Sequence, residues 1–209
     1  MAERERPDGP HPETHVVLDA KGLRAMAHPV RVQLVGLLRT HGPSTATRLA
    51  ERLGLGSGVT SYHLRQLGAA GFVEEDTDRG NARERWWRAV HQRTWLSDMD
   101  LADREPEAAM AYWRSVADSH AQRARLTLDA LEVMPRPWRD NLDLSNWSLR
   151  LTPEEAASLG EELRAVVNRY RRDTPEAGSG APEGAERVVL ITHILPEVDA
   201  AAESAGETS

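Results

Sequence analysis

The stretch from Ser44 to Phe72 constrains this chain most, because its apolar residues keep a helical spacing on both sides of a Gly54-Leu55-Gly56 interruption. Leu49 and Leu53 lie four apart on one face of a helix, with Ser44 placed to cap it. Glycine at 54 and 56 tolerates the positive φ that a sharp turn demands. Ser57 offers a cap for a second helix, Thr60, Leu64 and Leu67 form its inward stripe, and Gly71 ends it. Its outward face carries Ser61, Tyr62, Arg65 and Gln66, and no acidic residue occurs between Ser57 and Val73. Two short helices, a glycine turn and a polar, basic second helix make a helix-turn-helix.

The residues that follow extend this reading. Phe72 to Glu75 has the composition of a short strand, Asp76 to Asn81 is rich in turn formers, and Arg83 to Arg88 is a second strand candidate. A hairpin directly after such a helix is a wing, and Arg79, Arg83 and Arg85 place guanidinium forks along it. A planar fork suits bidentate phosphate contact or entry into a narrow minor groove.

Taken together, HPVRVQLVGLL, LAERLG, TSYHLRQL, GFVEE and RERWW resemble the ArsR-like winged helix-turn-helix transcriptional regulators, in particular a cysteine-free, non-metal-sensing group of high-GC bacteria. The resemblance covers roughly Leu18 to Trp95, with five blocks in the family's order, and is looser beyond. It implies a homodimeric DNA-binding repressor whose recognition helix (57–70) and wing (76–85) read a pseudo-palindromic site on double-stranded DNA. On that reading Val59, Ser61, Tyr62 and Arg65 face the major groove, with His63 and Gln66 flanking and Ser57 on phosphate. Thr60 belongs to the inward stripe and is also counted with this contact set. Arg79, Arg83 and Arg85 hold the adjacent backbone or minor groove. The alternative is a winged-helix protein-interaction module without specific DNA binding, against which the arginine-rich wing and acid-free face both count.

The net charge of −7 runs against nucleic-acid binding until it is divided along the chain. Residues 23–95 hold eleven arginines and six acids, whereas 96–209 hold twelve basic and twenty-two acidic residues. A basic reader joined to an acidic remainder fits a DNA-binding module with a separate dimer or sensor region. The absence of cysteine excludes disulfides, thiolate metal sites and thiol redox sensing. No HExxH, glycine-rich phosphate loop or GxSxG serine occurs, so the reading is not an enzyme and needs no cofactor. No apolar run approaches the ~20 residues of a membrane span, and no signal peptide is visible, which makes the cytoplasm the expected location and a membrane partner unexpected.

The fold class expected is mainly α with a small β component, in five stretches. Residues 1–14, with three prolines, read as a disordered tail, and 15–95 as the winged domain. In that domain a helix is expected over Val16 to Ala27, and His28-Pro29 ends it and starts the next. The next helix, with Val32, Leu34, Val35, Leu37 and Leu38, reads as the buried centre. Trp86 and Trp87 face opposite sides of a strand, for packing inside the domain or against a neighbour. Residues 96–134 read as a long dimerisation helix, with Met110, Trp113, Val116, Ala117, His120 and Ala124 in a stripe toward a second copy. Residues 135–198 read as a β-α-β dimerisation or effector region: a strand at Trp147 to Leu151, a capped helix from Thr152-Pro153, and a strand from Arg187 to Leu195, with strands available to pair across subunits. Residues 199–209 read as a flexible tail.

Tyr112, Trp113, Trp138, Trp147 and His193 could line an aromatic pocket for a small-molecule effector. The competing reading, which the composition favours, places them in the core and dimer interface. Asp118 and His120 resemble the start of a zinc site that some members of the resembled family carry on such a helix, which needs a further His or carboxylate pair about three turns later, where this chain has Leu131 and Met134. His11 and His15 have no further ligands nearby. No metal site is expected.

Overall fold

The computed structural model describes residues 15–79, 84–170 and 181–197, and the chain divides between Leu142 and Asp143 into two compact units. Among the described residues the first element is a strand, β1 (His15–Val17), where a helix is expected from Val16. The helix α1 (Ala20–Met26) starts only after Asp19, whose carboxylate accepts from Gly22 N. The β-branched pair Val16-Val17 instead finds a ladder: it runs parallel to β5 (Arg93–Trp95), Val16 opposite Thr94. That partner is distant in sequence, which local spacing does not reveal.

Helix α2 (Pro29–His41) starts where the His28-Pro29 pair places it, with proline in the first turn and His28 as N-cap. Its Leu34, Val35 and Leu38 are buried, and Gly42 ends it at φ 75°. Strand β2 (Ser44–Thr45) precedes α3 (Ala46–Leu53) and makes Thr45 the cap, with its hydroxyl accepting from Arg48 N; Ser44 is in the sheet instead. After α4 (Ser57–Ala69) come β3 (Val73–Glu75) and β4 (Trp86–Ala89), the latter starting three residues and ending one residue later than the sequence expectation. The order β2-β4-β3 is antiparallel throughout, so β4 is the central strand, with Trp87 between Ser44 and Glu75. Its outward neighbour Trp86 carries the Arg48 guanidinium 5.0 Å from the ring centroid. Trp87 is buried on the opposite side, beside Gly68, where a Cβ would sit 3.2 Å from the indole. The missing side chain at 68 lets the wing strand lie on α4.

The core joins Leu23 and Met26 of α1, Leu34, Val35 and Leu38 of α2, Leu49 of α3, Leu64 and Leu67 of α4, Phe72 and Val73. Helices α5 (Met99–Arg104) and α6 (Pro106–Asp129) close it with Leu101, Ala109 and Tyr112. On α6 the stripe turned to the core runs through Ala109, Tyr112 and Ser115, with Val116 at its edge. Met110, Trp113 and Ala117 lie on an exposed flank. The apolar residues of this helix are therefore shared between two faces, one already used. A short α7 (Arg136–Arg139) ends this unit.

In the second unit α8 (Pro153–Asn168) has the expected start: Thr152 Oγ1 accepts from Glu155 N at 3.2 Å and Glu155 Oε2 accepts from Thr152 N at 2.8 Å. The strands expected on either side are not formed. Residues 147–151 and 187–195 join no ladder, and Trp147 is 76% exposed. Alternating apolar residues define a sheet face, but a strand also needs a neighbour for its N–H and C=O groups. Among the described residues neither segment is part of a ladder. Among the described residues no helix is long and apolar enough to cross a membrane.

Candidate nucleic-acid interface

Helices α3 and α4 meet through Gly54, the C-cap of α3, at φ 65° and ψ 33°. This left-handed conformation costs a residue with a Cβ roughly 1–2 kcal/mol, and glycine escapes that cost. The N-cap of α4 is Gly56, with no side-chain capping bond, and Ser57 is its first helical residue. The Ser57 hydroxyl is thereby not committed to its own helix as a cap.

The helix period then sorts the candidate contact residues. Ser57, Val59, Tyr62, Arg65 and Gln66 are exposed and Ser61 is half-buried. Val59 and Tyr62, at 50% and 51%, are the large hydrophobic side chains this helix exposes. Two residues of the expected contact set do not lie on that face. Thr60 is fully buried, its hydroxyl donating to Gly56 O at 3.2 Å, as the inward stripe requires. His63 is also buried, three residues on from Thr60 and next to Leu64. One turn of helix after an inward residue points inward again, and the polarity of imidazole hid that in the sequence.

On the wing, Arg83 lies outside the described residues. Arg79 and Arg85 are exposed, but each has a carboxylate: Arg79 Nε lies 3.4 Å from Asp76 and Arg85 Nη1 3.1 Å from Glu75, while Arg88 meets Glu74 at 2.8 Å. The Arg85–Glu75 and Arg88–Glu74 pairs are exposed and contribute roughly 0–1 kcal/mol each, so a phosphate can replace those carboxylates at small cost, whereas Asp76, which meets Arg79, is buried. Arg85 and Arg88 are thus held in place by weak internal partners. Arg48 and Arg52 are exposed on α3 at a spacing of four, and Arg48 sets its guanidinium beside the hairpin. Their spacing was visible in the sequence, though the stacking of Arg48 on Trp86 was not.

The five residues of the expected aromatic pocket divide between the units. Tyr112 is a core residue, 8% exposed, whose phenol is pushed up in pKa by burial and drawn back by Arg39. Trp113 sits on the exposed flank of α6 and Trp138 on α7, while Trp147 and His193 belong to the second unit and are exposed. Of the expected dimer residues, Val116, His120 and Ala124 are half-buried and Met110, Trp113 and Ala117 are exposed. Among the described residues no three His, Asp or Glu side chains converge as a metal site would require.

The family description "Helix-turn-helix domain" matches residues 26–76, the span from the end of α1 to the residue after β3. No curated protein matches the chain. Among solved structures, a possible transcriptional regulator for arsenical resistance is 31% identical, with 54% of this chain and 97% of that one covered, at a TM-score of 0.30. A mutant of Lactococcus lactis ZitR in apo form is 16% identical over 69% and 84% of the two chains, also at 0.30. A MarR family regulator from Neisseria meningitidis is 22% identical over 54% and 80%, at 0.27. With TM-scores this low, the assignment rests on the sequence match and on the element order α2-β2-α3-α4-β3-β4. Residues 26–76 are a helix-turn-helix domain, and the β3-β4 hairpin after α4 makes it a winged one.

Proposed function

We propose that this protein is a sequence-specific DNA-binding transcriptional regulator, acting as a homodimeric repressor of the ArsR-like kind. The observation that carries the reading is the outer face of α4, where Ser57, Val59, Ser61, Tyr62, Arg65 and Gln66 face solvent with no acid before Val73. A helix with such a face fits the major groove, where arginine can pair with guanine O6 and N7. Arg79, Arg83 and Arg85 of the wing, with Arg48 and Arg52 of α3, supply phosphate contacts on either side. A small-molecule effector would act through the second unit. The exposed flank of α6, with Met110, Trp113 and Ala117, is the proposed face for the second copy.

The test is fluorescence anisotropy with a fragment carrying the protein's own promoter, titrated against salt beside random DNA. Tight preference for the promoter and a steep fall with salt would support the reading. No binding to either DNA at low salt would favour a protein-interaction module instead. Arg65→Ala is expected to lower promoter affinity by about 1–3 kcal/mol while leaving random-DNA binding nearly unchanged. If its preference for the promoter equals that of the unaltered chain, Arg65 does not read a base. Light scattering should give twice the chain mass, and Trp113→Glu should lower it toward the monomer; an unaltered mass would move the interface off this flank.

A further inference from the structure

The inner face of the recognition helix contains a histidine pair that the helix-turn-helix itself does not explain. The His63 ring, 7% exposed, contacts that of His28, with centroids 4.4 Å apart and planes inclined by 46°. His28 is the N-cap of α2, and its Nδ1 accepts from Val30 N at 3.2 Å, so that nitrogen carries no proton. His63 Nδ1 and Arg31 Nε are buried without a hydrogen-bond partner. Arg31 is held beside the pair by an Nη2 bond to Arg24 O at 3.1 Å, and the Tyr62 ring stands edge-on to His63 at 5.4 Å.

The charges around the pair all have one sign. His63 is held below the ordinary histidine range by burial first, then by His28 and Arg31; His28 is lowered by burial and then by Arg31. Tyr62, from α4 itself, acts on Arg31 and not on the imidazoles. From α1, the Arg24 guanidinium turns to Glu105, and Lys21 reaches α4 at Ala69 O rather than at the rings. No titratable group of α3 or β3, the other elements packed on α4, is among the causes for either ring. The positive end of the α2 dipole lies at His28 as well.

We propose that His28 is a positioning residue for the recognition helix: the neutral His28–His63 contact seats α4 on the start of α2, and proton uptake in mildly acidic solution unseats it and releases DNA. This rests on the DNA-binding reading above. Above pH ~6.5 both rings are neutral in the folded and unfolded chain, and the contact contributes in full. As the pH falls through that value, the unfolded or undocked state takes up protons first, because its histidines have the higher pKa. The contribution is therefore lost on acidification. A proton on His28 Nδ1 would also remove the acceptor for Val30 N and set a cation against Arg31.

Promoter affinity of the full chain should be measured from pH 7.5 to 5.5 at constant ionic strength, beside histidine titrations by NMR and thermal melts. The expected result is a loss of about tenfold per unit by which a ring is shifted, with both rings titrating below 6.5. His28→Asn, which can still cap α2 but cannot take up a proton in this range, removes one titrating ring and its effect on the other, so it should make both the affinity profile and the acid loss of melting temperature shallower. Either ring titrating at or above 6.5, affinity rising with acid as a bound phosphate would make it, or a His28→Asn profile matching the unaltered chain would overturn the proposal. Failure to bind DNA at any pH would overturn the regulator reading and, with it, the release step. The NMR and melting data would then judge the seating of α4 by themselves.

Discussion

Phe72→Ala is expected to lower the melting temperature of the full chain by about 10–20 °C, read by circular dichroism. Phe72 is the only phenylalanine of the chain and is 1% exposed, at the corner where α4 ends and β3 begins. Its backbone is bound on both sides, with N–H donating to Leu67 O and its C=O accepting from Val90 N. Beyond the ring lies Gly22, where an added Cβ would come within 3.3 Å of the Phe72 Cζ. The neighbour across the ring thus has no side chain with which to fill a hole. Truncating a buried phenylalanine costs about 3–5 kcal/mol, toward the upper end where the site cannot collapse. Against the ~5–15 kcal/mol of a typical domain this is a large share, and 1 kcal/mol moves a domain of this size by a few degrees. A shift below ~3 °C would mean that the corner repacks around alanine and that the Gly22 contact is not fixed.

This corner also shows what the sequence could disclose. Signals carried by neighbouring residues were legible: proline after His28, glycine at 54 and 71, and Thr152-Pro153 with glutamate three positions after the cap each mark a helix end. The Thr60-Leu64-Leu67 stripe was legible because a helix repeats its own period. Features that depend on distant partners were not. Strands of two and three residues at 44–45 and 15–17 exist through Trp87 and Arg93 to Trp95, over forty residues away. The 147–151 and 187–195 segments show the opposite case, a strand-like pattern with no neighbour in the ladder. Side-chain chemistry misled at one site. His63 is counted with the contact face because imidazole is polar, whereas it is buried beside Arg31; the burial of Tyr112 beside Arg39 agrees with the core reading and not with the aromatic pocket.

Arg39→Met is the second substitution expected to have a large effect, at about 2–4 kcal/mol in chemical denaturation of the full chain. Arg39 Nε donates to His91 O at 2.7 Å and Nη2 donates to Thr94 Oγ1 at 2.9 Å, so one fork ties α2 to the turn after β4 and to β5 itself. Desolvation pulls its pKa down to about 10, while the Tyr112 phenol of α6 acts in the opposite direction. The side chain remains protonated at neutral pH and holds its place without a carboxylate among the groups that shift it. Methionine preserves most of the stem packing and removes the charge, which isolates the fork. Each hydrogen bond from a charged donor is worth about 1.5–3 kcal/mol; the sum for two is reduced because the cation's desolvation cost also disappears. Arg39→Lys separates geometry from charge: an ammonium on a single stem cannot satisfy both acceptors in the plane of the fork, so it should recover less than half of the loss. Equal midpoints for Arg39→Met and the unaltered chain would show that the two acceptors are rehydrated at no cost. Equal midpoints for Arg39→Lys and the unaltered chain would instead assign the tie to charge alone.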